Sequence, residues 1–376
     1  MASIKKLTLP TRDQRGRAQV RWLARWRNPD GSSRELRFGT RADAERYLER
    51  LGADQQRGEY VDPRLGRTRF RDHLSEWAAG RVHLRSSTKA TQDSLLANHV
   101  IPALGHLEIA SIEPSRVQAL ISAMRASGYS PSTIRAVHAL LLAALEAAVD
   151  NRLISRNPAA HIDLPSLEYA DKRFLTPVDI AGLADAISPR WRAMVFVAAY
   201  TGLRWGEVAA LRTGSVNLLS RTLEVSATLN EVRGKIVMGP PKTRRSRRRL
   251  SLPRFLCDEL EHHLATFGVG QESLIFTNTE GGPLRRNAWR RRVWKPGVDA
   301  SVGEPMTFHD LRHSHAAILI KQGVHPKVIQ ERLGHASIRT TLDTYGHLFE
   351  GLDEAAAEAL DSAARGVSVG FGAATA

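Results

Sequence analysis

The longest apolar stretch of this chain, Ala136 to Val149, is broken by His138 and Glu146. Ile134, Val137, Leu141, Leu145 and Ala148 recur there at helical spacing, which marks a helix with one buried face. No apolar run of about 18 residues exists, so the stretch reads as a core helix and not as a membrane span. Around it, residues 68–80, 88–101, 115–126 and 131–150 are predicted as helices. Pro114 and Pro131 suit first-turn positions, with Glu113 and Ser130 as caps, and Asn157-Pro158 ends the run. Residues 66–160 therefore read as a small helical domain.

Residues 1–62 have a different texture. Alternation from Gln19 to Trp26 predicts a strand, Asn28-Pro29-Asp30-Gly31 a turn, and Arg34 to Phe38 the return strand. Thr40 is placed to cap a helix through Ala44, Tyr47, Leu48 and Leu51. This gives a small sheet-plus-helix module. Arg21, Arg25 and Arg27 alternate with Trp22 and Trp26, which puts tryptophan inward and arginine outward, toward solvent or DNA.

Residues 163–174 read as a linker, with Pro165, Ser166 and Asp171-Lys172-Arg173. Thr176-Pro177 opens a helix that Asp179 supports, and Trp191 to Tyr200 is a core helix. Strands are expected at 222–229, 235–238 and 248–252, and helices at 254–265, from 285 onward and over Glu350 to Arg365. Gly366 to Ala376 is a small-residue tail, expected to be flexible.

The net charge is +15, and such an excess favours a polyanionic partner, because each Lys or Arg on a phosphate releases a counterion. The amino-terminal segment MASIKKLTLPTRD lacks the apolar centre of a signal peptide. A single cysteine, Cys257, rules out an intramolecular disulfide and fits a reducing cytoplasm. Neither a GxxxxGKS/T phosphate loop nor a magnesium-binding carboxylate cluster is evident, so phosphate chemistry here would draw its positive charge from side chains.

Five short motifs carry such side chains. Arg204, in YTGLRWGE, ends an apolar helix and needs an anionic partner; Glu207 or a phosphate could supply it. Lys242 opens a basic run with Arg244, Arg245, Arg247, Arg248 and Arg249, which reads as a solvated face or a phosphate-binding patch. His309 and Arg312, in FHDLRH, share a helix face. His309 and His313 also have the spacing of two zinc ligands on a metalloprotease helix, although Asp310 stands where that motif has Glu. His335, in RLGHAS, follows a helix-end glycine, and taken alone reads as a cap or a core residue. Tyr345, in TTLDTYGH, is a packing residue or a nucleophile; as a phenol it needs a base or a cationic neighbourhood.

The order and flanks of these motifs resemble those of the tyrosine recombinases, the phage integrases in particular. The resemblance spans residues 66–350; residues 1–62 are more loosely similar to the family's amino-terminal arm-binding module. It implies a multidomain, mainly α chain with small β elements. Its parts would be an arm-type DNA-binding module over 1–62, a helical core-binding (SAM-like) domain over 66–160, and a mixed α+β catalytic domain over 172–365. The two larger domains would form a C-shaped clamp around DNA.

By the same resemblance, Tyr345 attacks the scissile phosphate, giving a 3′-phosphotyrosine and a free 5′-hydroxyl. Arg204, Arg312 and His335 hold the phosphate, His309 helps deprotonate Tyr345, and Lys242 protonates the leaving oxygen. Glu207 and His347 support the site, and Arg244, Arg245, Arg247 and Arg248 contact the DNA backbone. His313 and His315 are assigned to packing or to the vicinity of DNA. No cofactor is implied. The partners are double-stranded attachment sites and further copies of the chain in a synaptic tetramer, with Leu352, Ala356 and Leu360 offering a docking face. A directionality factor or a DNA-bending host protein fits the same scheme, in the bacterial cytoplasm at the nucleoid. The competing readings are a type IB-like topoisomerase, a non-catalytic DNA-binding protein on the same fold, and the metalloprotease.

Overall fold

Phe70, Leu74, Val100, Val117, Ile134, Leu141 and Leu145 are all buried in one cluster, so the helical pattern in the first half of the chain makes a true core. The structure is a computed structural model that describes residues 2–12, 18–28, 31–56, 62, 64–167, 173–241, 244–268, 270, 272–349 and 352–365. It divides into two compact units, residues 1–169 and 170–376.

The first unit begins with an antiparallel sheet of β1 (Ser3–Arg12), β2 (Ala18–Arg27) and β3 (Ser33–Phe38), with β2 central. Trp26 is buried, Trp22 half-buried, and Arg21, Arg25 and Arg27 are exposed, as the alternation requires. β1 has no counterpart in the sequence reading. Its pairing is irregular between Thr8 and Arg12, where Pro10 has no N–H to give the ladder. The helix α1 (Arg41–Gln56) is capped by Thr40, whose Oγ1 accepts from the Asp43 amide at 3.2 Å. Arg34 pairs with Asp62 at 2.8 Å.

The helices α2 (Phe70–Gly80), α3 (Ser86–Leu95), α4 (Ile101–Leu104), α5 (Pro114–Ala126) and α6 (Pro131–Asp150) follow. The single helix expected over 88–101 is longer and contains a π-helical turn, Leu96–Val100, just before Pro102. A proline cannot bond back to the preceding turn, and the wider turn accommodates it. Ser130 caps α6 through the Thr133 amide, but the Glu113 side chain makes no cap on α5. By length and composition α6 could cross a membrane; its apolar stripe instead fills the core. His73 and His138 sit in that core with their Nε2 atoms on the carbonyls of Ala144 and Ala159.

In the second unit, α7 (Pro177–Ala186) opens with a full capping box. The Thr176 amide donates to Asp179 at 2.9 Å and the Asp179 amide to Thr176 Oγ1 at 3.2 Å. α8 (Pro189–Thr201) is buried on most sides, and a short α9 (Trp205–Val208) follows it. The strand expected over 222–229 is in fact two. β4 (Val216–Asn217), β5 (Thr222–Val225) and β8 (Arg248–Ser251) form one sheet, while β6 (Thr228–Val232) and β7 (Lys235–Gly239) form a separate hairpin.

Helices then run as α10 (Arg254–Phe267), α11 (Arg286–Trp289), α12 (Lys295–Ser301), α13 (Asp310–Lys321), α14 (Pro326–Leu333), α15 (Ile338–Tyr345) and α16 (Leu352–Arg365). Trp205, Trp289, Trp294 and Phe308 stack in the main core, and α13 packs on α8. Part of the linker (168–172) and the tail 366–376 lie outside the described residues.

Candidate active site

Two left-handed glycines and one buried arginine set the geometry. α8 ends at Gly202 with φ +67°, and α14 ends at Gly334 with φ +66°. These turns deliver Arg204 and His335. A Cβ on Gly202 would lie 2.7 Å from the His315 ring, so only glycine fits there. Arg312, 2% exposed on α13, ties the two turns together. Its Nη1 donates to the Gly202 carbonyl at 2.6 Å and its Nη2 to the Leu333 carbonyl at 2.7 Å.

Glu207 is the one buried carboxylate among the described residues of the cluster. It accepts from Arg204 Nη1 at 3.0 Å and from Arg248 Nη2 at 3.1 Å. Burial alone would raise its pKa, but Arg248, then Arg204, outweigh burial and hold it below the ordinary 4.5. Arg248 also donates to the carbonyls of Arg332 and Ser246. This corrects the assignment of Arg248 to DNA: only 7% of its side chain is exposed, and a desolvated guanidinium needs its carboxylate. A Glu207→Gln protein is expected to lose about 3 kcal/mol of stability, because a buried arginine loses its counter-charge. Urea unfolding measures this; a loss under about 1 kcal/mol, the worth of an ordinary hydrogen bond, would contradict the pairing.

Among the described residues Arg312 makes no such carboxylate contact. Desolvation first, then the nearby Arg204, push its pKa down to about 9. Among the described residues of the site, three guanidiniums, those of Arg204, Arg248 and Arg312, surround one paired carboxylate, that of Glu207. The histidines respond to the same field. His309, at the start of α13 and open to solvent on one side, is pushed down to about 4 by desolvation, His313, Arg312 and Arg204. His335 is also pushed to about 4, by desolvation and then the arginines, and its Nδ1 lies 2.9 Å from Thr341 Oγ1. Both are neutral imidazoles at ordinary pH.

Tyr345 ends α15 and is 1% exposed, packed with Ala316, Ile320, Ile329 and Leu333. Desolvation raises its pKa to about 12, against the pull of Arg312 and Arg204. Its hydroxyl meets His313 Nδ1 at 2.8 Å. His309 was the residue expected beside that hydroxyl, yet its contact is with the His313 ring, edge-on at 4.9 Å between centroids. His313, expected to pack or to lie near DNA, is thus part of the cluster. Thr341, one turn before Tyr345 on α15, was also missed; its i−4 position on the same helix face was the available signal.

His315, expected to pack or to lie near DNA, is buried in the protein. Arg332 Nε points at its Nε2 at 3.4 Å, and its Nδ1 donates to the Ala199 carbonyl at 3.0 Å. Burial, then Arg332, push its pKa down to about 3. Its unfolded value lies near 6.5, so the folded form binds its proton later. The stability from its neutral form is complete above pH 6.5 and is lost as pH falls toward 3. Between pH 7 and 5 this amounts to about 2 kcal/mol. Unfolding free energies of wild type and His315→Gln at both pH values should differ in slope by that amount; equal slopes would contradict it.

The remaining expected residues divide. Arg245 and Arg247 are exposed, and Arg245 Nη1 donates to the Ala336 carbonyl beside His335. Arg25 is exposed and pairs with Glu35 at 3.2 Å. Lys242 and the side chains of Arg244, His347, Leu352 and Ala356 lie outside what is described; Leu360 is 72% exposed.

The structure thus brings the Tyr345 phenol, Arg204, Arg312 and the imidazoles of His309, His313 and His335 into one cluster. Residues 173–351 match the phage integrase family, and residues 69–125 match the family's N-terminal SAM-like domain. The integrase of Mycobacterium phage L5 is 28% identical over 300 residues, covering 78% of this chain and 79% of that protein. The ICEBs1 integrase of Bacillus subtilis is 29% identical over 247 residues, covering 62% and 67%. Among solved structures, the Tn1549 transposon integrase in complex with a circular intermediate DNA gives a TM-score of 0.65 at 22% identity, over 78% of this chain and 99% of that one. A lambda integrase tetramer bound to a Holliday junction gives 0.58 at 18%, over 85% and 91%. The chain belongs to the phage integrase family of tyrosine recombinases.

Proposed function

We propose that this chain is a site-specific DNA recombinase of the integrase type, which integrates or excises a mobile element through a 3′-phosphotyrosine intermediate. The observation that carries the reading is Arg312: a buried cation without a carboxylate contact among the described residues, close enough to Tyr345 to act on its pKa. An anion belongs beside it, and a phenol waits there.

In this reading Arg204 and Arg312 hold the non-bridging oxygens of the scissile phosphate. Charge grows on those oxygens in the transition state, where fixed donors in a dry site act most strongly. His309 and His335, as neutral imidazoles, donate further hydrogen bonds. Tyr345 Oη attacks phosphorus, and Lys242 protonates the departing 5′-oxygen. The phosphotyrosine conserves the energy of the broken bond, so a second strand's 5′-hydroxyl reverses the step without ATP.

The helical domain of residues 66–160 and the catalytic domain of 172–365 would bind core DNA. Residues 1–62 would bind a second, arm-type site through Arg21, Arg25 and Arg27. Four copies would assemble on paired sites inside the bacterial cell, with α16 as the docking helix and accessory DNA-bending or directionality proteins setting direction. Two duplexes carrying the element's attachment sites test this. Recombinant products are the expected result. Relaxation of supercoils without recombinants would make the chain a topoisomerase, and binding without either would make it a non-catalytic DNA-binding protein.

A further inference from the structure

We propose that His313 is the base that receives the Tyr345 proton during cleavage; this inference rests on the recombinase reading above. The geometry is direct. His313 Nδ1 lies 2.8 Å from Tyr345 Oη, and the two rings meet edge-on at 5.7 Å between centroids. Among the described residues the phenol ring otherwise packs with Ala316, Ile320, Ile329 and Leu333, none of which accepts a proton. His313 follows Arg312, whose guanidinium is fixed on the carbonyls of Gly202 and Leu333. The backbone that positions the phosphate clamp therefore also positions the imidazole. His309 lies one helical turn earlier, with its ring against His313.

The step balances within the site. With the imidazole proton on Nε2, Nδ1 accepts the Tyr345 proton as the Oη–P bond forms. The P–O5′ bond breaks and the departing oxygen takes a proton from the acid, Lys242. In the return step the attacking 5′-hydroxyl gives its proton to that lysine. The P–Oη bond breaks, and the His313 imidazolium restores the phenol.

The test uses the full chain and a nicked suicide duplex of the attachment site. A second duplex carries sulfur in place of the bridging 5′-oxygen, so that its leaving group needs no proton. Wild type must give an adduct and Tyr345→Phe none; failure of that control overturns the function and this inference together. With the control met, His313→Ala should cleave on the order of 10²–10⁴-fold more slowly, the usual contribution of a general base. The defect should persist on the sulfur duplex, and added imidazole should restore part of the rate. His313→Gln, which keeps the side-chain volume and polarity but takes up no proton, should be as slow as the alanine variant while binding duplex normally. It carries the test if His313→Ala does not fold. Cleavage by His313→Gln within a few-fold of wild type, or recovery of either variant on the sulfur duplex alone, would overturn the proposal and leave the recombinase reading standing.

Discussion

A Tyr345→Phe protein binds its duplex normally and forms no covalent adduct. The substitution removes the nucleophilic oxygen and little else. The ring keeps its place among Ala316, Ile320, Ile329 and Leu333, and the hydrogen bond lost to His313 Nδ1 is worth about 1 kcal/mol. Folding should therefore survive while chemistry stops. A phenol held at a pKa of about 12 does not ionise on its own at neutral pH, so its reactivity depends on the groups around it. Gel separation of DNA linked to protein, for both proteins on a nicked suicide duplex, reads the outcome. An adduct that persists in Tyr345→Phe would show that another side chain attacks.

Arg204→Lys should lose cleavage on the order of 10²–10³-fold, as when a single transition-state donor is removed. The charge stays, so duplex binding should change little. What goes is the planar fork. In the folded chain Arg204 Nη1 rests on Glu207, and 40% of the side chain remains open, enough to reach a bound anion. A lysine would keep the ion pair with Glu207 but could not span two phosphate oxygens at the same time. Single-turnover cleavage rates measure the effect. Near-normal rates would remove Arg204 from the clamp and leave Arg312 to hold the phosphate alone.

Local signals were the legible ones. The Thr176–Asp179 capping box, the Ser130 cap, the proline-led helix starts and the β2–β3 hairpin were read from neighbouring residues and recur in the structure. The motifs around Arg204, His309, Arg312, His335 and Tyr345 were legible in the same way, because each is a short run with a typical helix end or start. What failed to show was tertiary. Arg248 looks like any other arginine in its basic run; its burial comes from the pairing of β8 with β5 and from Glu207 on a different element. The strand over 222–229 looked continuous because nothing at Ser226-Ala227 announces a change of sheet. His313 was set aside because the sequence alone cannot tell which helix face meets Tyr345, 32 residues away. The π turn before Pro102 was foreshadowed by the proline but lay inside a helical pattern strong enough to mask it.

Mapping the covalent bond tests the central claim most directly. The trapped adduct is digested with protease and nuclease, and the remaining nucleotide-bearing peptide is sequenced by mass spectrometry. The account requires a single modified residue, Tyr345, joined to a 3′-phosphate, with a 5′-hydroxyl on the released strand. A nucleotide on any other side chain, or a 5′-phosphate linkage, would contradict it.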